Sequence, residues 1–350
     1  MKEAPFVSVV MPVRNEAGFV ARALRAVLTQ SWPEEKLEVI VADGMSTDGT
    51  REIVESFAEV HPRVTRIDNP GRIAPTGLNA AIARARGDVV VRVDGHCEIA
   101  PDYVARCVQH LVVDEVDCVG GPLTTVGTTR VARAIALAMS SRFGVGGARF
   151  RVGTDRPVLA DTVAFPAFRR AALTRTGAFD EELVRNQDDE YSFRLRKRGG
   201  KILLAPDVRA VYYSRASWPR LAGQYFQYGF YKVRVAQKHP RQMSARQLAP
   251  PAFVAALGAS LLVAPTALGR LPLAGLAALW ALAAGASVVA LARRAGPLDA
   301  LLLPPTFAIL HLSYGTGFLC GLVRFARGFV RTHPDAPSRE PAPPVREASA

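Results

Sequence analysis

The sequence predicts an α/β domain with a mostly parallel sheet, followed by transmembrane helices. Two observations carry this reading. Over the first 240 residues, strand-like and helix-like segments alternate, which is the pattern of a parallel sheet with crossover helices. Beyond residue 248 charge nearly vanishes. Leu248–Gly269 and Leu271–Ala292 contain no charged side chain, and Ala300–Val323 contains only a histidine, His311. Each run is long enough to cross a hydrocarbon core of roughly 30 Å at about 1.5 Å per residue. Burial of all three as core helices is the alternative, and three tandem runs of this length are uncommon in soluble domains.

Taken in order, Phe6–Val13 reads as a hydrophobic strand. Ala17–Thr29 has helical spacing, with Asn15 as its N-cap. Leu37–Ala42 is a second buried strand, and Thr47–Val60 a second helix capped by Ser46 or Thr47. Val64–Asp68 is a third strand, Pro75–Arg86 a third helix, and Asp88–Val93 a fourth strand. A helix-like run over Tyr191–Arg198 follows Asp188, Asp189 and Glu190. The expected division is 1–240 as a cytosolic catalytic domain, 248–323 as a membrane region of two or three helices, and 332–350 as a disordered tail rich in Pro, Ala and charge. Pro304-Pro305 is expected to kink the third hydrophobic run or make it re-entrant. That would also reconcile a cytosolic N-terminal domain with Arg324, Arg327 and Arg331 on the same side.

The formal net charge is +13, which points to an anionic partner: a nucleotide-linked substrate, acidic lipid or nucleic acid. No zinc-finger, helix-turn-helix or RNA-recognition pattern is present, so nucleic acid is set aside. Cys97, Cys107, Cys118 and Cys320 lack metal-knuckle spacing and read as reduced thiols. Val7–Val13 is too short and too strand-like for a signal peptide.

Ligands of a parallel sheet bind at the carboxyl ends of its strands. Asn15, Asp43 and Asp94 all fall there. Asp94-Gly95-His96 ends the strand-like run Val89–Val93, and a strand-end Asp-x-His can hold a divalent metal. His96 as a plain turn residue is the alternative. Asp188 and Asp189 open a helix, where a carboxylate can accept a proton. A negatively charged helix N-terminus is also stabilised by the macrodipole, and both roles can hold together. Three successive carboxylates, Asp188 to Glu190, are expected to raise one another's pKa values. Asp43 sits where it can accept the imide N–H of a uracil-like base, whereas Asp48 reads as a turn residue.

Val9-Val10-Met11-Pro12-Val13-Arg14-Asn15-Glu16, then Asp43-Gly44-Met45-Ser46-Thr47-Asp48-Gly49-Thr50, resembles glycosyltransferase family 2, of the GT-A fold. The resemblance continues through Asn79, Arg86-Gly87-Asp88 and Asp94-Gly95-His96 to Asn186-Gln187-Asp188-Asp189-Glu190. Gly120-Gly121-Pro122, Phe143-Gly144-Val145-Gly146-Gly147 and Gln224-Tyr225-Phe226-Gln227-Tyr228-Gly229 are similar to succinoglycan-type exopolysaccharide glucosyltransferases.

The resemblance implies base-binding positions at Pro12, Arg14, Glu16 and Asp43, and a wider donor-binding set that adds Arg72, Asn79 and Asp94. The family's Asp-x-Asp falls on Asp94-Gly95-His96, so the second carboxylate is a histidine here. That leaves Asp94 and His96 as the metal pair, for Mn²⁺ or Mg²⁺, and shifts preference toward softer ions. The family's Glu-Asp base motif falls on Gln187-Asp188. Asp188 is the implied base and Asp189 its rival. Gln224 and its aromatics keep part of a Gln-x-x-Arg-Trp motif without the Arg, which argues against a self-contained polymerising synthase. The implied activity is an inverting, metal-dependent transferase at the inner (plasma) membrane. It would move a sugar from a nucleotide-sugar, UDP-linked, to a lipid-linked saccharide. Transfer to polyprenyl phosphate is one alternative, and a non-catalytic scaffold of a polysaccharide assembly complex is another.

Overall fold

The computed structural model describes residues 4–266 and 269–327; the expected tail at 332–350 and Arg331 lie outside them. Two compact units form. The first comprises residues 4–123 and 153–211, and the second 124–152 and 212–327. Residues 124–152 and 212–238, within the expected 1–240 domain, fold with the second unit.

The strands are β1 Val7–Val13, β2 Leu37–Asp43, β3 Val64–Asp68, β4 Val89–Arg92, β5 Cys97–Ile99, β6 Cys118–Gly121, β7 Leu123–Val126, β8 Val158–Leu159, β9 Ala164–Arg169, β10 Ile202–Leu204 and β11 Ala210–Tyr213. Eight of them, all but β5, β7 and β11, make one sheet in the order β3-β2-β1-β4-β9-β6-β10-β8. β3, β2, β1 and β4 run parallel, and β9 is antiparallel to both β4 and β6. The register sets Val13, Asp43 and Asp68 side by side at the carboxyl ends. The chain builds outward from β1 through β2 to β3, then returns to place β4 on β1's other side. The crevice between the ends of β1 and β4 is therefore the topological switch point, where α/β sheets bind ligands.

β1 and β2 are almost wholly buried, because helices cover both faces of the sheet. That is why they read as continuous apolar runs. One polar cluster lies within this core. The hydroxyl of Ser8, fully buried, donates to Glu38 at 2.6 Å and accepts the Gly87 N–H at 2.7 Å. Glu38 also accepts from the Arg86 backbone and guanidinium. A side chain at Gly87 would strike Ser8 at 2.5 Å from its nitrogen, so Arg86-Gly87 is a packing feature of β1 and β4.

Helix starts differ from the sequence expectation. The first helix is Val20–Leu28, not Ala17–Thr29, and the second Thr50–Val60, not Thr47–Val60. Neither Asn15 nor Ser46 nor Thr47 is an N-cap. Asn15 adopts a left-handed φ of 54° and exchanges hydrogen bonds with the β2 loop instead. The polar residues near the strand ends stitch two loops together, and that use overrides their capping preference. The third helix is Ala74–Arg84, and the helix beginning at the acidic cluster is Gln187–Lys197.

On helix Tyr103–Val113, His110 bridges two carboxylates: Nδ1 to Asp114 at 2.7 Å and Nε2 to Asp207 at 2.8 Å. Burial alone lowers its pKa, but the two hydrogen bonds and the two negative charges outweigh burial and raise it above the ordinary 6.5. A raised folded pKa means the pair stabilises fully below about pH 6.5 and loses its contribution as pH climbs through the folded value. The melting-temperature gap between the native chain and His110→Ala should therefore shrink between about pH 6 and pH 9. A gap that holds constant across that range contradicts the ion-bridge role.

The second unit is helical. Its long members are Trp218–Lys238, Ala245–Val263, Arg270–Leu291 and Leu303–Arg324. Among the described residues, three stretches are long and apolar enough to cross a membrane: Ala245–Val263, Arg270–Leu291 and Pro297–Arg324. The third contradicts the expected kink. Pro304-Pro305 lie in the first turn of a continuous 22-residue helix, where a missing N–H breaks no intrahelical bond. Glycines let Leu303–Arg324 and Trp218–Lys238 approach closely. A side chain at Gly317 would collide with the Phe226 carbonyl, and one at Gly321 would sit 2.6 Å from the Phe230 carbonyl oxygen. His311 accepts the Trp280 indole N–H at Nδ1 and donates from Nε2 to the Phe143 carbonyl. Arg133 and Asp299 form a two-point ion pair. The cysteines are free thiols, as expected.

Candidate active site

The loop after β1 and the loop after β2 are laced together at the sheet's carboxyl edge. Gly44 N–H donates to the Val13 carbonyl and Asn15 N–H to Ser46 Oγ, while Thr47 N–H donates back to Asn15 Oδ1. Glu16 N–H reaches Thr50 Oγ1 at 2.7 Å, and Ala17 N–H reaches Asp48 Oδ2 at 3.1 Å. Asp48 also accepts from the Thr50 hydroxyl and backbone. Desolvation raises its pKa, but these hydrogen bonds outweigh that and hold it low. Asp48 is thus the structural knot its sequence context suggested. The knot fixes Arg14, Asn15 and Glu16 beside Asp43.

Asp43 closes β2 and is fully buried; its carboxylate takes the Ser46 N–H at 3.2 and 3.3 Å. Arg14 is exposed just past β1 and donates from Nη1 to the Arg72 carbonyl at 3.1 Å. Arg72 is exposed too and holds a left-handed φ of 60°. Pro12 lies in β1 opposite Gly77, where an added Cβ would meet it at 3.4 Å. Asn79 lies on the third helix. Its amide exchanges hydrogen bonds with the Phe179 backbone and donates to Glu181. It thereby straps the third helix to the segment that leads toward Asp188.

Asp94 follows β4. Arg92 grips it through two parallel bonds at 2.8 and 3.0 Å. Burial raises the Asp94 pKa, but the Arg92 charge and hydrogen bonds, with smaller contributions from His96 and Arg185, outweigh burial and keep it low. Asp94 is therefore held as an anion with a fixed orientation. His96 Nδ1 meets Glu16 Oε1 at 2.8 Å, across the switch point. This contact joins the β1 loop to the β4 turn.

Asn186, at φ 63°, turns the chain into helix Gln187–Lys197. Asp188 is exposed and accepts the Asp189 N–H at 2.9 Å. Glu190 is buried and clamped by Arg194 at 2.6 and 3.0 Å. The expected mutual repulsion of three carboxylates is thus relieved at Glu190, whose charge Arg194 neutralises. Tyr191 stacks on Phe179 at 4.0 Å, which seats the helix. The charge of Arg185 reaches Asp94, so the turn before Asp188 and the end of β4 share one neighbourhood. The sequence reading passed over both Arg185 and Arg92. Arg92 was legible as the one cation in an otherwise apolar strand.

Among the described residues, no group of three or more His, Cys, Asp and Glu side chains is arranged to hold a metal. Asp94 and His96 supply one carboxylate and one imidazole. That donor set fits a first-row divalent ion that takes its remaining ligands from substrate oxygens and water.

A sequence profile for Glycosyl transferase family 2 matches residues 8–177. The succinoglycan biosynthesis protein ExoA of Rhizobium meliloti (strain 1021) is 34% identical over 91% of this chain and 96% of its own length. A dolichyl N-acetyl-alpha-D-glucosaminyl phosphate 3-beta-D-2,3-diacetamido-2,3-dideoxy-beta-D-glucuronosyltransferase of Methanococcus voltae is 24% identical over 67% of this chain and 74% of its own. The solved mannosyltransferase PcManGT of Pyrobaculum calidifontis, in complex with GDP-Man and Mn²⁺, superposes with a TM-score of 0.55 at 24% identity, over 89% of this chain and 88% of that one. The parallel sheet with its switch-point site, set beside these matches, makes the chain a GT-A-type sugar transferase. It belongs to glycosyltransferase family 2.

Proposed function

We propose that this glycosyltransferase is anchored in the inner (plasma) membrane by residues 248–323 and works on the cytoplasmic side through residues 1–240. It moves a sugar, with inversion, from a UDP-linked donor to a lipid-linked saccharide in exopolysaccharide or cell-envelope glycan synthesis. The observation that carries this reading is the convergence of the β1 loop, the β4 turn and the segment before Asp188 on one crevice, with Asp94 held anionic by Arg92.

Asp43 accepts the base imide N–H, and Pro12, Arg14 and Arg72 line the nucleotide end. Asp94 and His96 would hold Mn²⁺ or Mg²⁺, which when bound offsets charge on the leaving diphosphate. Asp188 takes the proton from the acceptor hydroxyl, whose oxygen attacks C1 as the C1–O bond to the diphosphate breaks. A lone base with no covalent nucleophile gives inversion. In the helical unit, an open groove of about 640 Å³ lies along Phe226, Phe230, Tyr231, Leu312 and Thr316. It offers apolar surface of the kind a polyprenyl chain covers.

Nucleotide release is the test, with purified full-length protein, a panel of nucleotide-sugars and a cell-membrane lipid extract. Release should require one donor and the extract. Polyprenyl-diphosphate saccharides should replace the extract, and polyprenyl phosphate should not. Silence with every donor favours the scaffold reading.

Anchoring makes its own prediction. The protein should stay with membranes through a carbonate or high-salt wash, because helices in lipid satisfy their own backbone hydrogen bonds. Release by salt alone means that the +13 charge holds it to acidic lipid instead.

A further inference from the structure

We propose that Glu16 is the positioning residue for His96. Its carboxylate accepts the Nδ1 hydrogen, which fixes the tautomer that presents Nε2 to a metal. The inference rests on the reading of Asp94 and His96 as the metal pair, and it reassigns Glu16 from base contact to support of a ligand.

Four observations carry it. Glu16 Oε1 and His96 Nδ1 are 2.8 Å apart, and both side chains are largely buried, at 17% and 16% exposure. A metal-ligating histidine characteristically gives its other ring N–H to a carboxylate, which fixes the ring and raises its basicity. The Glu16 backbone is held independently of its carboxylate. Its N–H is bound by Thr50, and its carbonyl accepts from Phe19 and Val20 at 2.8 Å each. None of those bonds uses the carboxylate. Gly95 leaves room for the contact, since a Cβ there would lie 3.0 Å from Val13 Cγ1 and 3.1 Å from Glu16 Cγ. Asp94, finally, has the matching arrangement, with Arg92 fixing its carboxylate. Each member of the pair thus has a partner that orients it, Arg92 for Asp94 and Glu16 for His96.

The test is Mn²⁺ binding by the full-length protein in the presence of UDP, read by electron paramagnetic resonance. The free-ion signal gives affinity, and pulsed measurements give the ¹⁴N coupling of a ligating imidazole. The unaltered protein should show that coupling, and His96→Ala should lose it. Glu16→Ala should bind Mn²⁺ roughly 10–100-fold more weakly, with the coupling weakened or lost. Glu16→Gln, which keeps an acceptor oxygen, should fall between. Native affinity and coupling in Glu16→Ala overturn the proposal while leaving His96 a ligand. No nitrogen coupling in the unaltered protein, or full coupling in His96→Ala, overturns the metal pair itself and the proposal with it.

Discussion

Asp188→Asn should reduce turnover at least ~10²-fold while donor affinity stays within about twofold. The size follows from removing the only proton acceptor in the proposed displacement. The structure makes the comparison with its neighbours sharp. Glu190 is buried under Arg194 and is unavailable as a base. Asp189 is half-buried behind Asp188, and its own N–H is bound to the Asp188 carboxylate. Only Asp188 is exposed at the first turn. Asparagine preserves an acceptor oxygen for that Asp189 N–H, so the helix start should survive. Steady-state kinetics on both variants decides the assignment. A mild Asp188→Asn beside a dead Asp189→Asn moves the base by one residue.

Chelation should have an effect of similar size. EDTA should stop transfer, and Mn²⁺ should restore it at least as well as Mg²⁺, because an imidazole–carboxylate set favours the softer ion. Asp94→Asn should lose at least ~10²-fold in turnover and most of its metal response. Asparagine is the better variant here. Asp94→Asn and Asp94→Ala both remove the counter-charge of Arg92, only 7% exposed, and breaking a buried pair costs about 3–5 kcal/mol of stability. Asparagine keeps the side-chain volume and one acceptor oxygen for the guanidinium, which alanine does not. Melting temperatures are read beside the kinetics, since a fall in activity could otherwise be mistaken for unfolding. Full activity in chelator contradicts the metal role of Asp94 and His96 together.

Much of the fold could be read from the chain because the sheet is conventional. β1, β2 and β4 are apolar apart from Ser8, Glu38, Asp43 and Arg92, almost wholly buried, and separated by helical spacing. Their carboxyl ends follow directly, and with them the positions of Asp43 and Asp94. The contacts that connect those ends were not legible. Glu16 and His96 are 80 positions apart, and Asn79 meets Phe179 across 100. No local pattern encodes such a pairing. The helix starts were misplaced for a related reason. Asn15, Ser46 and Thr47 are good capping residues locally, but loop-to-loop hydrogen bonds claim them first. Pro304-Pro305 reads as a breaker mid-run only until the helix start is known; at the first turn it is harmless.

The central claim is that this chain transfers a sugar to a lipid-borne acceptor using Asp188 and a metal held at Asp94. The direct measurement is the partition of radiolabel from a nucleotide-sugar into the organic phase, with full-length protein and membrane lipid extract. The account predicts label in a lipid-soluble product, absent with EDTA and reduced at least ~10²-fold in Asp188→Asn. Label that enters the organic phase equally well with EDTA and with Asp188→Asn would contradict it.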